Sequence, residues 1–259
     1  MPGDDLQLLT DAAVAAGEIA CRHFHAGHAV WDKGAGQGPV TEADLEIDRM
    51  LHARLTGARP DYGWMSEESE DDAGSRLARP RTFVVDPIDG TRAFTDGHRT
   101  WAHSLAVANR GEVTAAVVYL PLLQRLYTAE RGGGARLNGR TIRASGRPAL
   151  RGADVLAAGP TLKPQHWPGG VPDVTRHFRS SLAYRLSLVG QGRFDAMLTL
   201  RDSWEWDIAA GSLVAQEAGA KVSDRKGDPI TFNSPRRQAF GVVCATPAVH
   251  KEMLDRLNR

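Results

Sequence analysis

Apolar residues recur at helical spacing in two segments near the start of the chain. The first runs from about residue 5 to about residue 25, and the second begins near Thr41. The apolar positions are Leu9, Ala13, Ala16, Ala20 and Phe24 in the first segment and Ile47, Leu51 and Leu55 in the second. Steps of three and four residues place such side chains on one face of a helix, so we predict two amphipathic helices.

Short runs rich in β-branched residues follow at residues 82–85, 104–108, 113–120 and 125–129. The turns between the later runs are short, which favours antiparallel pairing. From about residue 150, strand-like and helix-like segments alternate, a pattern typical of α/β proteins. We therefore predict an α+β part over residues 1–135 and an α/β part over residues 136–259.

Composition limits the classes of partner. The 259 residues include 32 basic and 31 acidic side chains, a net charge of +1, so no overall field attracts a nucleic acid polymer or an acidic membrane. Only Cys21 and Cys244 are present, which suggests neither disulfides nor a thiolate metal site. The acidic N-terminal segment does not resemble a signal peptide. We expect a soluble cytoplasmic protein.

Candidate chemistry is concentrated in the segment VVDPIDGTRAF. Asp86 and Asp89 follow a predicted strand, and Pro87 stiffens the turn between them. Two carboxylates in one turn repel each other unless a cation lies between them, and Mg²⁺ prefers such oxygen ligands. Gly90 and Thr91 come next, where a helix could begin and offer backbone N–H groups to a phosphate. A capped turn that binds nothing is the alternative for this segment alone.

Three further acidic segments allow two interpretations each. Glu67 lies in WMSEES and could belong either to a metal site or to a solvated acidic loop. Asp44 follows Thr41 in PVTEAD, which also fits a helix capping box. Asp207 in WEWDIAAG precedes an apolar helical run and could be its N-cap.

Together these four segments resemble the inositol monophosphatase superfamily of Mg²⁺-dependent, lithium-sensitive phosphatases. DPIDGTRAF, SEES and WDIAAG match the superfamily's signatures in order and spacing. The resemblance implies a layered αβαβα sandwich and a homodimer. Most of the metal ligands would lie in the N-terminal part, and the C-terminal part would close the site.

The resemblance also implies a role for each matching residue. Two or three Mg²⁺ ions would be held by Glu67, Asp86, the carbonyl of Ile88, Asp89 and Asp207. Thr91 and Asp44 would orient the attacking water, and the N–H groups of Gly90 and Thr91 would bind the phosphate. Lys33 lies in a glycine-rich loop that would cover the site. Ser66, Ser69, Ser104 and His103 fit no nucleophile or zinc motif, so we assign them structural or surface roles.

The substrate is the least determined feature. Inositol and histidinol phosphatases usually carry a glutamate where this chain has Thr199 or Leu200. Arg185 and Arg201 could instead bind a second phosphate, because a guanidinium binds phosphate bidentately, or they could lie on the surface. This pattern favours a 3′(2′),5′-bisphosphate nucleotidase, with inositol-1-monophosphatase or histidinol-phosphatase as alternatives. A noncatalytic binder with the same fold is a further alternative. Ser180 or Ser181 stands where the superfamily usually has glycine, which argues against a close approach of the backbone to the substrate there.

Overall fold

The computed structural model describes residues 2–26, 30–32 and 39–258. Within these residues the α-helices are α1 (Pro2–Ala26), α2 (Glu42–Ala58), α3 (Ala73–Leu77), α4 (Thr91–Thr95), α5 (Leu182–Gly190), α6 (Glu205–Glu217) and α7 (Pro247–Leu257). The strands are β1 (Val30–Asp32), β2 (Pro39–Thr41), β3 (Gly63–Ser66), β4 (Arg81–Asp89), β5 (Ala102–Asn109), β6 (Glu112–Leu120), β7 (Arg125–Glu130), β8 (Gly134–Leu137), β9 (Arg140–Thr141), β10 (Ala153–Ala157), β11 (Val174–His177), β12 (Ala196–Thr199), β13 (Ser203–Trp204), β14 (Lys221–Ser223), β15 (Gln238–Ala239) and β16 (Val242–Ala245). Three short 3₁₀ helices complete the described elements.

Seven strands form the larger sheet, in the sequential order β3 to β9. β3 and β4 are parallel, and every later pair is antiparallel. The four predicted strands of this half are confirmed as β4 to β7. β3 was missed, because its four residues GWMS lack the alternation that identifies a strand.

The two faces of the larger sheet pack against different helices. On β4, Phe83 and Val85 join the core formed with α1 and α2, whereas Val84 joins a second core with α5 and α6. The same alternation continues along β5 and β6, because successive side chains of a strand point to opposite faces. The predicted helices at residues 5–25 and from Thr41 are confirmed as α1 and α2.

The smaller sheet has five strands in the order β11-β10-β12-β16-β14, with both parallel and antiparallel pairs. One face contributes Leu156, Met197 and Cys244 to the core around α5 and α6. The opposite face packs with Val249 and Met253 of α7. The layers are therefore α1/α2, large sheet, α5/α6, small sheet and α7, which confirms the αβαβα sandwich.

The change from the large to the small sheet falls between Thr141 and Ala153. The division of the chain after residue 135 stays a prediction.

Both cysteines are free. Among the described residues no helix combines the length and apolar character needed to span a membrane. Lys33 lies outside the described residues.

Candidate active site

The parallel pair β3 and β4 brings two acidic residues together. Ser66 and Val85 are paired at the end of the ladder, and the next residues along the two strands are Glu67 and Asp86. The backbone N–H of Glu67 donates to the carbonyl of Val85 at 3.2 Å, which continues the pairing. Because parallel strands end at the same edge of a sheet, carboxylates nineteen positions apart become neighbours.

A third carboxylate arrives from α6. Ser104 of β5 is the cross-strand partner of Asp86, and its hydroxyl donates to the carbonyl of Trp206 at 2.8 Å. This bond fixes the start of α6 beside the acidic strand end, so Asp207 faces the same point. The N-cap of α6 is Trp204, without a side-chain bond, and Asp207 lies in the first turn. The N-cap interpretation of Asp207 is therefore wrong.

Glu67, Asp86 and Asp207 form a compact oxygen cluster, with one carboxylate oxygen of each lying within 4.8 Å of the others. Asp86 is 1% exposed, and its Oδ1 is buried without a hydrogen-bond partner among the described residues. Burial raises the pKa of Asp86 well above its usual range, and the nearby charges of Glu67 and Asp89 raise it further. Three hard oxygen donors, one of them from a carboxylate with an unpartnered oxygen, fit a divalent cation such as Mg²⁺.

The turn after Asp86 is built around a β-bulge. Asp86 lies opposite Ser104, but Asp89 lies opposite Ala102, so β4 contains one residue more than its partner over this stretch. Gly90 then takes a φ of 102°, a left-handed conformation that favours glycine. A Cβ at this position would also lie 3.5 Å from the Trp101 backbone. The left-handed glycine allows α4 to start directly after β4, beside the acidic cluster.

Thr91 and Asp44 meet across this turn. The Thr91 hydroxyl lies 3.1 Å from the carbonyl of Ile88 and 3.4 Å from Oδ1 of Asp44. The second oxygen of Asp44, Oδ2, accepts from the backbone and hydroxyl of Thr41 at 2.8 and 2.6 Å, which completes the capping box of α2. The two interpretations of PVTEAD are therefore compatible, since one carboxylate caps the helix and contacts Thr91.

Asp89 faces the N-terminus of α5. Its Oδ2 accepts from the Ser181 hydroxyl at 2.6 Å and from the Ala183 N–H at 2.7 Å, and its Oδ1 lies 3.2 Å from the Leu182 nitrogen. Burial raises the pKa of Asp89 to about 6, although these hydrogen bonds lower it. Ser181 also caps α5 by accepting from the Tyr184 N–H. Ser181 therefore joins α5 to β4.

A cleft of about 960 Å³ contains the acidic cluster and extends to the C-terminal part. Its lining includes both arginines predicted to bind substrate, Arg185 and Arg201, and the pair Thr199 and Leu200. Arg185 is only 6% exposed, and its guanidinium lies 4.4 Å from the ring centre of Phe178, so the surface interpretation of Arg185 is wrong. Burial lowers the pKa of Arg185 to about 10. Arg201 is exposed at the cleft wall.

Two residues near the site were not expected to shape it. Ser104 had no motif, and its link to α6 becomes visible only in the folded chain. His103 is fully buried, and its Nδ1 lies 2.5 Å from the carbonyl of Pro87 in the acidic turn. Burial lowers the pKa of His103 to about 4, so the ring is neutral and supports the turn as a hydrogen-bond donor.

Comparisons with known proteins identify the family of this chain. The family model described as the inositol monophosphatase family matches residues 4–258. An inositol-1-monophosphatase of Rhizobium meliloti is 34% identical over 98% of this chain and 96% of the relative. A Nus factor SuhB of Pseudomonas aeruginosa is 36% identical over 86% of each chain.

A solved structure gives the same result. The Thermotoga maritima IMPase matches with a TM-score of 0.83 and 28% identity, and the match covers 98% of this chain and 97% of that one. The similarity therefore extends over both sheets and over the acidic cluster between them. The chain belongs to the inositol monophosphatase family and is a phosphoric monoester hydrolase.

Proposed function

We propose that this protein is a Mg²⁺-dependent phosphatase that hydrolyses inositol 1-phosphate. The observation that carries the proposal is the convergence of Glu67, Asp86 and Asp207, with one carboxylate oxygen of each within 4.8 Å of the others, together with a buried Asp86 oxygen that has no hydrogen-bond partner among the described residues. Such a cluster is unfavourable without a cation, and all three carboxylates line the cleft of about 960 Å³. The substrate is proposed from the names of the relatives.

The metal ligands we propose are Glu67, Asp86, the carbonyl of Ile88, Asp89 and Asp207, which together hold two or three ions. A carboxylate has roughly four lone-pair positions, so the three hydrogen bonds that Asp89 accepts leave room for a metal contact. When bound, Mg²⁺ supplies charge neutralisation and lowers the pKa of a bound water. Lys33 in the glycine-rich loop would add positive charge.

The chain's own groups would handle the proton and the phosphate. The hydroxyl of Thr91 has one proton to donate, to Asp44 or to the carbonyl of Ile88, and keeps lone pairs that can accept a hydrogen bond from the attacking water. Thr91 and Asp44 would thus orient this water and take up its proton. The backbone N–H groups of Gly90 and Thr91 would bind the phosphate oxygens.

A second candidate substrate carries two phosphates, such as a 3′(2′),5′-bisphosphate nucleotide. Arg185 and Arg201 support it, because both line the cleft that contains the acidic cluster. They are also close enough for the charge of Arg201 to lower the pKa of Arg185. The absence of a glutamate at Thr199 and Leu200 weakens the case for inositol, whereas the relatives' names favour inositol phosphate over the nucleotide. Histidinol phosphate is the remaining alternative.

The decisive experiment compares phosphate release from these three substrates and from fructose 1,6-bisphosphate, with Mg²⁺ and with EDTA. We expect metal-dependent turnover with the highest kcat/KM for inositol 1-phosphate. If a bisphosphate is best and Arg201→Gln lowers only that reaction by about tenfold, the second candidate replaces the first. Arg193→Gln, an exposed charge outside the cleft, is the matched control. Failure to release phosphate from any of these substrates would favour the noncatalytic binder.

The assembly and the cellular location remain proposals. We propose a homodimer in the cytoplasm, with a small phosphorylated substrate and no nucleic acid polymer or membrane as partner. Sedimentation equilibrium of the purified protein tests the dimer, because a single species at monomer mass across the concentration range would contradict it.

A further inference from the structure

Two serines flank the acidic pair in the segment SEES, and both bind one carboxylate of α2. The hydroxyl of Ser66 donates to Oδ1 of Asp48 at 2.5 Å, and the hydroxyl of Ser69 donates to Oδ2 at 2.6 Å. Asp48 is 7% exposed, and its bond to Ser66 is buried, whereas its bond to Ser69 is partly buried. One carboxylate therefore fastens the residues before and after Glu67 and Glu68.

Each hydroxyl also accepts a hydrogen bond, which closes the arrangement. The Glu68 N–H lies 3.4 Å from the Ser66 oxygen, and the indole N–H of Trp64 donates to the Ser69 oxygen at 3.1 Å. A serine hydroxyl that both donates and accepts has a fixed rotamer, unlike one that faces solvent. The segment that carries Glu67 is thus fixed at both ends.

α2 places Asp48 where it can do this. Asp44 and Asp48 are four residues apart, so they lie on the same face of the helix, one turn from each other. Asp44 contacts Thr91, whereas Asp48 contacts the segment on the other side of the site. The same helix therefore connects to both the turn after β4 and the turn after β3.

Asp48 does not belong to the substrate cleft. Asp48 and Ser69 line a separate cavity of about 460 Å³, whereas Glu67 lines the large cleft. The two serines and the backbone of Glu67 provide a direct route by which Asp48 can act on the cleft.

We propose that Asp48 is a positioning residue that holds Glu67 in the geometry required for metal binding. This inference rests on the proposed function, because it assumes that Glu67 is a metal ligand. Residues that orient ligands in this way typically change metal affinity or activity by roughly 10- to 100-fold when they are replaced.

The test is direct Mg²⁺ titration by calorimetry, without substrate, on the full chain. We expect Asp48→Ala to weaken Mg²⁺ binding by at least about tenfold. The Mg²⁺ concentration for half-maximal phosphatase activity should rise in proportion, with kcat largely recovered at saturating Mg²⁺. Glu42→Ala removes an exposed carboxylate from the same helix and should leave both quantities unchanged.

Smaller changes keep the test decisive if Asp48→Ala does not fold. Ser69→Ala removes one of the two bonds and should weaken Mg²⁺ binding less than Asp48→Ala, whereas Ser69→Thr keeps the hydroxyl and should restore binding. Folded variants at Asp48 and Ser69 with wild-type Mg²⁺ affinity would overturn the inference. If the wild-type protein itself binds no Mg²⁺, the proposed function fails instead, so the two failures are distinguishable.

Discussion

Replacing Asp86 by asparagine should have opposite effects on stability and on activity. Asp86 is buried beside Glu67 and Asp207, at carboxylate separations of up to 4.8 Å. Coulomb's law at that distance gives a repulsion of about 3.5 kcal/mol per charged pair for an effective dielectric constant of about 20, and about 1 kcal/mol in bulk water. An asparagine side chain has nearly the same shape as aspartate, lacks the charge and can donate to the neighbouring carboxylates. The metal-free variant should therefore be more stable than the wild-type protein.

The pH dependence follows from the direction of the pKa shift. The folded state raises the pKa of Asp86, so the wild-type protein loses stability as the pH rises through that pKa and the carboxylate ionises. Asparagine does not titrate. The stability advantage of Asp86→Asn in EDTA should therefore grow with pH, to about 1–3 kcal/mol, or roughly 2–10 °C in Tm for a chain of this size.

Thermal unfolding in EDTA and in Mg²⁺, together with phosphate release, measures all of these effects. Mg²⁺ should raise the Tm of the wild-type protein by mass action, but it should raise that of Asp86→Asn far less, because an amide is a poor ligand for a hard cation. Turnover of the variant should be nearly abolished. Asp96→Asn, an exposed change at the same cleft, should resemble the wild-type protein.

Either of two results would refute this reasoning. The first is near wild-type turnover of Asp86→Asn at saturating Mg²⁺, which would remove Asp86 from the metal site. The second is a lower Tm than wild type in EDTA at alkaline pH, which would show that the three carboxylates do not repel one another in the metal-free protein.

Three further predictions concern the turn and the metal. Gly90→Ala should lower stability by about 1–3 kcal/mol in thermal unfolding, because an L-residue is strained at a φ of 102°. Burial lowers the pKa of His103 from 6.5 to about 4, so the unfolded chain binds the proton first. Above pH 6.5, the stability of the wild-type protein relative to His103→Gln should therefore stay constant. As the pH is lowered from 6.5, this relative stability should decrease by at most roughly 1.4 kcal/mol per pH unit. Chemical unfolding at several pH values measures it. LiCl, but not NaCl, should inhibit phosphate release.

Local patterns in the sequence predict most of the fold. The helices α1 and α2 follow from spacing, because each buries one face at a fixed period, and the strands β4 to β7 follow from runs of β-branched residues joined by short turns. The five-layer order required the resemblance to a known family. Neither the local pattern nor the family resemblance predicted β3. This strand has only four residues, and it is defined by its pairing with β4 rather than by its own pattern.

The acidic motifs identify candidate ligands, but they do not show how the chain holds them in place. Asp48 belongs to no motif, and its bonds to Ser66 and Ser69 span 18 and 21 residues. In the sequence, the SEES segment is also consistent with a solvated acidic loop. The structure shows instead that both of its serines bind the Asp48 carboxylate of α2. Which side chains position a ligand residue depends on the three-dimensional packing around it. A single sequence therefore does not identify these side chains.

Asp207 shows why the two interpretations of an acidic residue cannot be separated locally. A helix N-terminus attracts a carboxylate for capping and equally well orients one toward a cation, and both uses place aspartate within the first turn. The difference lies in a bond between residues 102 positions apart, from Ser104 to the carbonyl of Trp206. That bond sets α6 against the strand end that carries Asp86, and so brings Asp207 to the other carboxylates. The role of Asp207 therefore depends on where α6 packs against the large sheet. The sequence WEWDIAAG alone does not predict that position.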